Sequence, residues 1–171
     1  MKKILCLGIL ALLFSCDDGD LQIETIDFDS ATIQNCDAVS AETANVLFKL
    51  NTSEALILEL PSGAIKNEVS DGAISTAVTA SGPARATYRT FSDNVSTNYF
   101  CNDIPLTEPT VIEEIIAQGG EVLITTTLNA DGVTYEHEIR LNTISFVTSN
   151  DSRITNLAID NFGTVTTTLS E

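Results

Sequence analysis

The sequence predicts a mainly β domain, an antiparallel β-sandwich or a barrel-like form of one, with one short helix. Runs rich in Thr, Val and Ile recur along the chain, clusters of Gly, Asn and Asp separate them, and only one stretch has helical periodicity. The 171 residues are 43% hydrophobic, enough apolar surface for a self-sufficient core that offsets chain entropy.

Strands are expected at 21–28, 46–50, 56–60, 74–80 and 84–91, and again at 121–128, 133–146, 154–159 and 164–169. Triplets such as Thr125-Thr126-Thr127 and Thr166-Thr167-Thr168 suit a pleated, half-buried surface, because β-branched side chains lose rotamer freedom in a helix. The helix is expected at 110–118, where Pro109 precedes Val111, Ile112, Ile115 and Ile116 and where Gly119-Gly120 follows. Asn129-Ala130-Asp131-Gly132 is a turn signal. A hairpin in which Leu128 faces Val133 sets Ile124 opposite His137 and Val122 opposite Ile139, all on one face, whereas a one-residue slip would bring Glu138 opposite Ile124.

Charge narrows the partners. Eight basic residues stand against 24 acidic ones, a net charge of −16. Non-specific duplex binding draws on cations that neutralise phosphates, so no nucleic-acid partner is expected.

The first twenty residues read as an address. Met1-Lys2-Lys3 is basic, residues 4–14 are apolar apart from Gly8, and Ser15-Cys16 then leads into Asp17-Asp18-Gly19-Asp20. Eleven helical residues span about 16 Å, roughly half a bilayer core, which fits a signal peptide at 1–15 rather than a membrane span. Leu13-Phe14-Ser15-Cys16 resembles the lipobox of bacterial lipoproteins, in which a small residue precedes a cysteine that is acylated and becomes the mature N-terminus. The resemblance covers residues 1–16 and implies lipidation of Cys16. The acids that follow are similar to the export signal of Bacteroidetes lipoproteins. It implies that Asp17, Asp18 and Asp20 direct a lipid-anchored protein to the outer membrane and the cell exterior, with the periplasmic face as the alternative. Under the rule of enteric bacteria, Asp17 would instead signal retention at the inner membrane. In this reading residues 16–20 are a lipidated acidic tether and 21–171 a single domain. Cleavage removes Lys2 and Lys3 and no acid, leaving 6 basic and 24 acidic residues, a net charge of −18. Anionic lipid repels such a chain, so the acyl groups must hold it to the membrane, each buried methylene contributing about 0.8 kcal/mol.

The lipoprotein resemblance also settles which thiols remain. Cys6 leaves with the signal peptide and Cys16 takes the lipid, so Cys36 and Cys101 are the two mature thiols, in an oxidising compartment, and one disulfide is expected. Two free or metal-binding thiols are the rival reading, although neither lies in a Cys-x-x-Cys motif or near His137. Tyr99-Phe100-Cys101, with Cys36 lying 65 positions upstream, also resembles the tyrosine corner and inter-sheet disulfide of immunoglobulin domains. The chain departs from that pattern in having no Trp and in the 70 residues that follow Cys101. A disulfide-pinned sandwich of another connectivity is preferred.

Other chemistry-bearing residues have plain structural readings. His137 lies between Glu136 and Glu138, yet in a strand those neighbours point to the opposite face, so a structural, partly buried His is expected. Arg85 and Arg89 share a strand face about 13 Å apart, a possible anion ledge, but in so acidic a chain each is expected to pair with a carboxylate. Asp29-Ser30-Ala31 matches the acidic-hydroxyl-aliphatic pattern of O-glycosylation in Bacteroidetes exported proteins, with a plain Asp-Ser turn as the alternative for Ser30. No Gly-x-Ser-x-Gly elbow and no ligand spacing for a metal is present, so no cofactor is expected.

Two function classes follow. The first is a non-enzymatic surface lipoprotein whose β-domain binds an envelope protein, or more weakly a glycan, since sugar platforms use aromatic faces and the chain has only Tyr88, Tyr99 and Tyr135 and no Trp. The second is a hydrolase using paired carboxylates on a β-scaffold, which requires a concave site.

Overall fold

Two long strands carry the architecture. The computed structural model describes residues 26–148, 153–154 and 160–169. The readings at 1–15, Cys16, Asp17, Asp18 and Asp20 lie outside the described residues. β5 (Val111–Leu128) and β6 (Thr134–Val147) pair antiparallel along Ala117–Leu128, and each holds two shorter strands along its other edge. β4 (Arg85–Phe91) and β3 (Ile74–Ala77) line β5, while β8 (Asn161–Thr168) and β7 (Arg153–Ile154) line β6. β2 (Glu54–Leu60) and β1 (Asn45–Asn51) continue beyond β4. The result is one curled antiparallel sheet, the barrel-like form of the expected architecture, with one short helix among the described residues.

That helix is α1 (Thr97–Cys101), and the helix expected at 110–118 is instead the first half of β5. Val111, Ile112, Ile115 and Ile116 do match helical spacing, but Ile115 and Ala117 alternate inward as strand residues do, and β-branched side chains favour the extended form. Gly119-Gly120 does not end a helix. It bends β5 where the strand passes from β4 to β3: Gly120 has φ +124°, the register shifts on both sides of Gly119, and Thr143 opposite has φ +51°. This kink allows the two halves of the sheet to face one another.

Between those halves lies the main core. Leu47, Leu56, Leu58 and Tyr88 from one half meet Val122, Ile124, Ile139, Phe146 and Phe162 from the other. A second, smaller core sits on the outer face of β1, β2 and β4, where Phe48, Ala55, Ile57 and Phe91 pack beneath α1. Phe100 stacks on Phe48 with centroids 4.6 Å apart, and Tyr99 meets Phe91 edge-on at 5.0 Å.

Residues 26–40 are not a strand; of the strand expected at 21–28, residues 26–28 are irregular and 21–25 lie outside the described residues. Residues 26–40 run as an irregular strap across the open side of the curl, between the edge strands β1 and β8. Ile26 and Phe28 enter the main core, and Gln34 and Phe48 exchange backbone hydrogen bonds at 2.7 and 2.9 Å. Asn45 holds the end of the strap, accepting from Ser40 N–H at 2.8 Å and donating to Ser40 O at 2.7 Å. Cys36 and Cys101 form a disulfide with their Cα atoms 5.1 Å apart. The bond ties the strap to α1 rather than one sheet to another, and Tyr99 lies on that helix, so the immunoglobulin-like corner is not formed.

The β5–β6 hairpin keeps its expected faces with the register moved by two. Leu128 pairs with Tyr135, Ile124 with Ile139 and Thr126 with His137. Asn129 N–H donates to Thr134 O, so the loop is 130–133 rather than 129–132. Asp131 Oδ1 fixes it by accepting from Val133 N–H at 3.0 Å and Thr134 N–H at 2.9 Å, and the Thr134 hydroxyl together with these two backbone bonds holds its carboxyl below the usual carboxylate range.

Candidate binding groove

The strap touches β8 closely at one point and then diverges from it. A Cβ on Gly163 would stand 2.9 Å from Ile33 Cδ1, so at this residue the Ile33 side chain packs directly against the backbone of β8. On either side of that contact a cavity opens. One, of about 750 Å³, is lined by Asp29, Thr32, Lys49 and Asp160 through Thr164. The other, of about 510 Å³, lies between Asn35, Ala38 and Val39 of the strap and Thr164 through Thr168 of β8. Ile33 and Thr164 line both, so the two cavities form a groove along the edge of β8 that the Ile33–Gly163 contact divides.

Lys49 forms the floor of the first cavity. It points inward because it shares a strand face with Asn45 and Leu47, and only 4% of its surface is exposed. Its ammonium donates to Phe28 O at 2.9 Å and to Asn161 O at 3.5 Å, joining β1 to both the strap and β8, and it lies 5.7 Å from the centroid of the Phe162 ring. Burial lowers its pKa from the ordinary lysine value, against the opposing pull of Asp29 and Asp27. Sequence reasoning missed this residue. The available signal was a lysine at an inward position of an apolar strand.

His137 is wholly buried, deeper than expected, and structural. Nδ1 lies 2.9 Å from Thr126 Oγ1 and Nε2 lies 2.8 Å from Thr167 Oγ1, so both ring nitrogens are satisfied across β5, β6 and β8. Thr167 Oγ1 also donates to Asn67 Oδ1, extending the network to the loop before β3. Burial pushes the imidazole pKa down and favours the neutral ring.

Arg85 and Arg89 are neutralised rather than poised for an anion. Arg85 Nε lies 2.5 Å from Glu59 and Arg89 Nε lies 2.5 Å from Glu114, each carboxylate on the neighbouring strand. Ser30 is exposed in a turn closed by Ala31 N–H donating to Phe28 O at 3.1 Å, on the outside of the strap. Among the described residues, no group of three or more His, Cys, Asp or Glu is placed to hold a metal ion. No family model, no curated protein and no solved structure matches this chain.

Proposed function

We propose that this chain is an outer-membrane lipoprotein, anchored through Cys16 and exposed at the cell surface, whose β-domain binds an envelope protein in the groove between the strap and β8. The observation that carries the anchoring is the run 4–14, too short to span a bilayer, ending at Leu13-Phe14-Ser15-Cys16 and followed at once by Asp17, Asp18 and Asp20. The groove supports the binding role, because it is concave, partly apolar and bounded by a covalently pinned strap.

The hydrolase alternative has one feature in its favour, the two carboxylates Asp29 and Asp160 on the wall of the larger cavity. Both are exposed, whereas glycoside hydrolysis needs one carboxyl kept protonated at neutral pH by an apolar environment. The glycan alternative needs an aromatic platform, and Phe162, the aromatic residue lining the groove, is wholly buried.

Metabolic labelling with palmitate tests the anchor. The wild-type protein takes the label and sediments with membranes, and Cys16→Ala does neither; a labelled variant contradicts the proposal. A photo-crosslinking residue at the exposed Ala38 tests the groove in living cells. It traps one envelope protein that the same residue at the exposed Gln118, away from the groove, does not; identical products from the two positions contradict a groove-specific partner.

A further inference from the structure

The strand that walls the groove has a row of backbone groups with no described partner. β8 pairs with β6 along one edge, Thr168 with Thr134 through Ile139 with Gly163. Leu169 N–H donates to Val133 O, and period two therefore turns the backbone groups of Thr167 and Val165 toward β6. The N–H and C=O groups of Thr164, Thr166 and Thr168 face the groove. Asn67 Nδ2 donates to Thr168 O at 3.4 Å and closes one end, while the contact of Ile33 with Gly163 closes the other. Among the described residues, Thr164 and Thr166 have no backbone partner on this side, and an open strand edge of this kind is a template for another chain.

Charge distinguishes among possible occupants. Glu136 and Glu138, both exposed, lie directly across β6 from Thr166 and Thr164, and Asp29 and Asp160 stand on the rim beyond Gly163. Within β6 and β8 the one cation is Arg140, the register partner of Asn161, and it lies past the closed end. A strand laid against β8 would place its solvent-side residues about 10 Å from β6, within about one Debye length of Glu136 and Glu138. Its groove-side residues would meet Ile33, Ala38 and Val39, which are small or apolar.

We propose that β8 binds an extended peptide segment of a partner protein as an added strand, with Lys or Arg on its solvent side and small apolar residues toward the strap. This rests on the groove being the binding surface and names the chemistry of its occupant. Main-chain hydrogen bonds at Thr164 and Thr166 supply affinity, and the acidic face selects the sequence.

The test uses the full lipidated, oxidised chain in detergent micelles and two capped peptides, one alternating Lys with Val and the other alternating Glu with Val. Fluorescence anisotropy reads affinity, and hydrogen exchange reads which amides become protected. The Lys-Val peptide binds at least about tenfold more tightly than the Glu-Val peptide, weakens as salt rises, and protects the amides of 161–169. Thr166→Pro removes an outward donor without removing a bond to β6, a position where an edge strand accepts proline, and weakens binding about tenfold. Should that variant not fold, joint Glu136→Lys and Glu138→Lys at exposed positions reverses the preference between the two peptides. Equal affinity for both peptides overturns the proposal. Concentration-dependent protection of 161–169 without peptide also overturns it, by showing that β8 pairs with a second copy. Protection of strap residues 30–39 without protection of 161–169 overturns strand addition and leaves the groove reading standing. A groove that takes neither peptide overturns the basic-strand proposal, and crosslinking at Ala38 then judges the groove by itself.

Discussion

A Cβ added to Gly120 would stand 2.8 Å from the Cα of Ile144, closer than a side chain can approach a backbone. The contact marks the point where β5 turns from one half of the sheet to the other, and the backbone of Gly120 is held there at φ +124°. Only glycine adopts that conformation without strain.

Gly120→Ala is therefore expected to destabilise the protein by about 3 kcal/mol, combining backbone strain with overpacking, and to lower Tm by roughly 10 °C. Gly119→Ala is the control. A Cβ there meets nothing within 4 Å, so its Tm should stay within a few degrees of the wild type. Differential scanning calorimetry of the two variants decides this, and equal losses would mean that the kink does not depend on Gly120.

Reduction of Cys36–Cys101 should cost about 2 to 4 kcal/mol and about 5 to 15 °C in Tm, chiefly because the unfolded chain regains a long loop. Its local effect follows from what the bond joins. Without it the strap and α1 retain Gln34, Asn45 and the Phe48–Phe100 stack but lose their covalent tie. Hydrogen exchange should accelerate in residues 30–40 and 96–102 well before it does in the β5–β6 hairpin. Uniform acceleration over the whole chain would contradict this placement of the bond.

Stability should fall as pH drops through the ordinary imidazole range. Burial holds the His137 pKa below the value of about 6.5 found in an unfolded chain. Below about pH 6.5 the unfolded chain takes up a proton that the folded protein does not, and stability is lost by at most about 1.4 kcal/mol per pH unit. Above that pH both states carry a neutral ring and the contribution is fully present. Urea denaturation from about pH 7.5 to about pH 5.5 should show this slope in the wild type and lose it in His137→Gln, which keeps a polar side chain between Thr126 and Thr167. Parallel slopes would assign the pH dependence to other groups.

Local chemistry made much of the fold legible. β-type runs bounded by turn residues located β1, β2, β3, β4, the second half of β5, β6 and β8 to within a few residues, and period two gave the inward face of His137 even though the register of the hairpin differs by two. The first half of β5 was misread because Val111, Ile112, Ile115 and Ile116 satisfy helical spacing, and Gly119-Gly120 is written the same way whether it ends a helix or kinks a strand. The contact with Ile144 that distinguishes the two is tertiary. Residues 26–28 were misread for a related reason: Ile26 and Phe28 have the spacing of a strand, yet they reach the core from an irregular segment, and the packing that decides this is tertiary. The groove was not legible at all, since Ile33, Lys49 and Thr164 are distant in sequence and meet only after the sheet has curled.

Surface display through the lipid anchor is tested most directly by treating intact cells with protease and blotting for the full-length chain. The wild type should be degraded while a periplasmic marker stays whole, and the joint Asp17→Ala, Asp18→Ala, Asp20→Ala variant should survive by remaining inside the outer membrane. Wild-type protein that persists under this treatment, or equal sensitivity of wild type and variant, would contradict export directed by the acidic residues after Cys16.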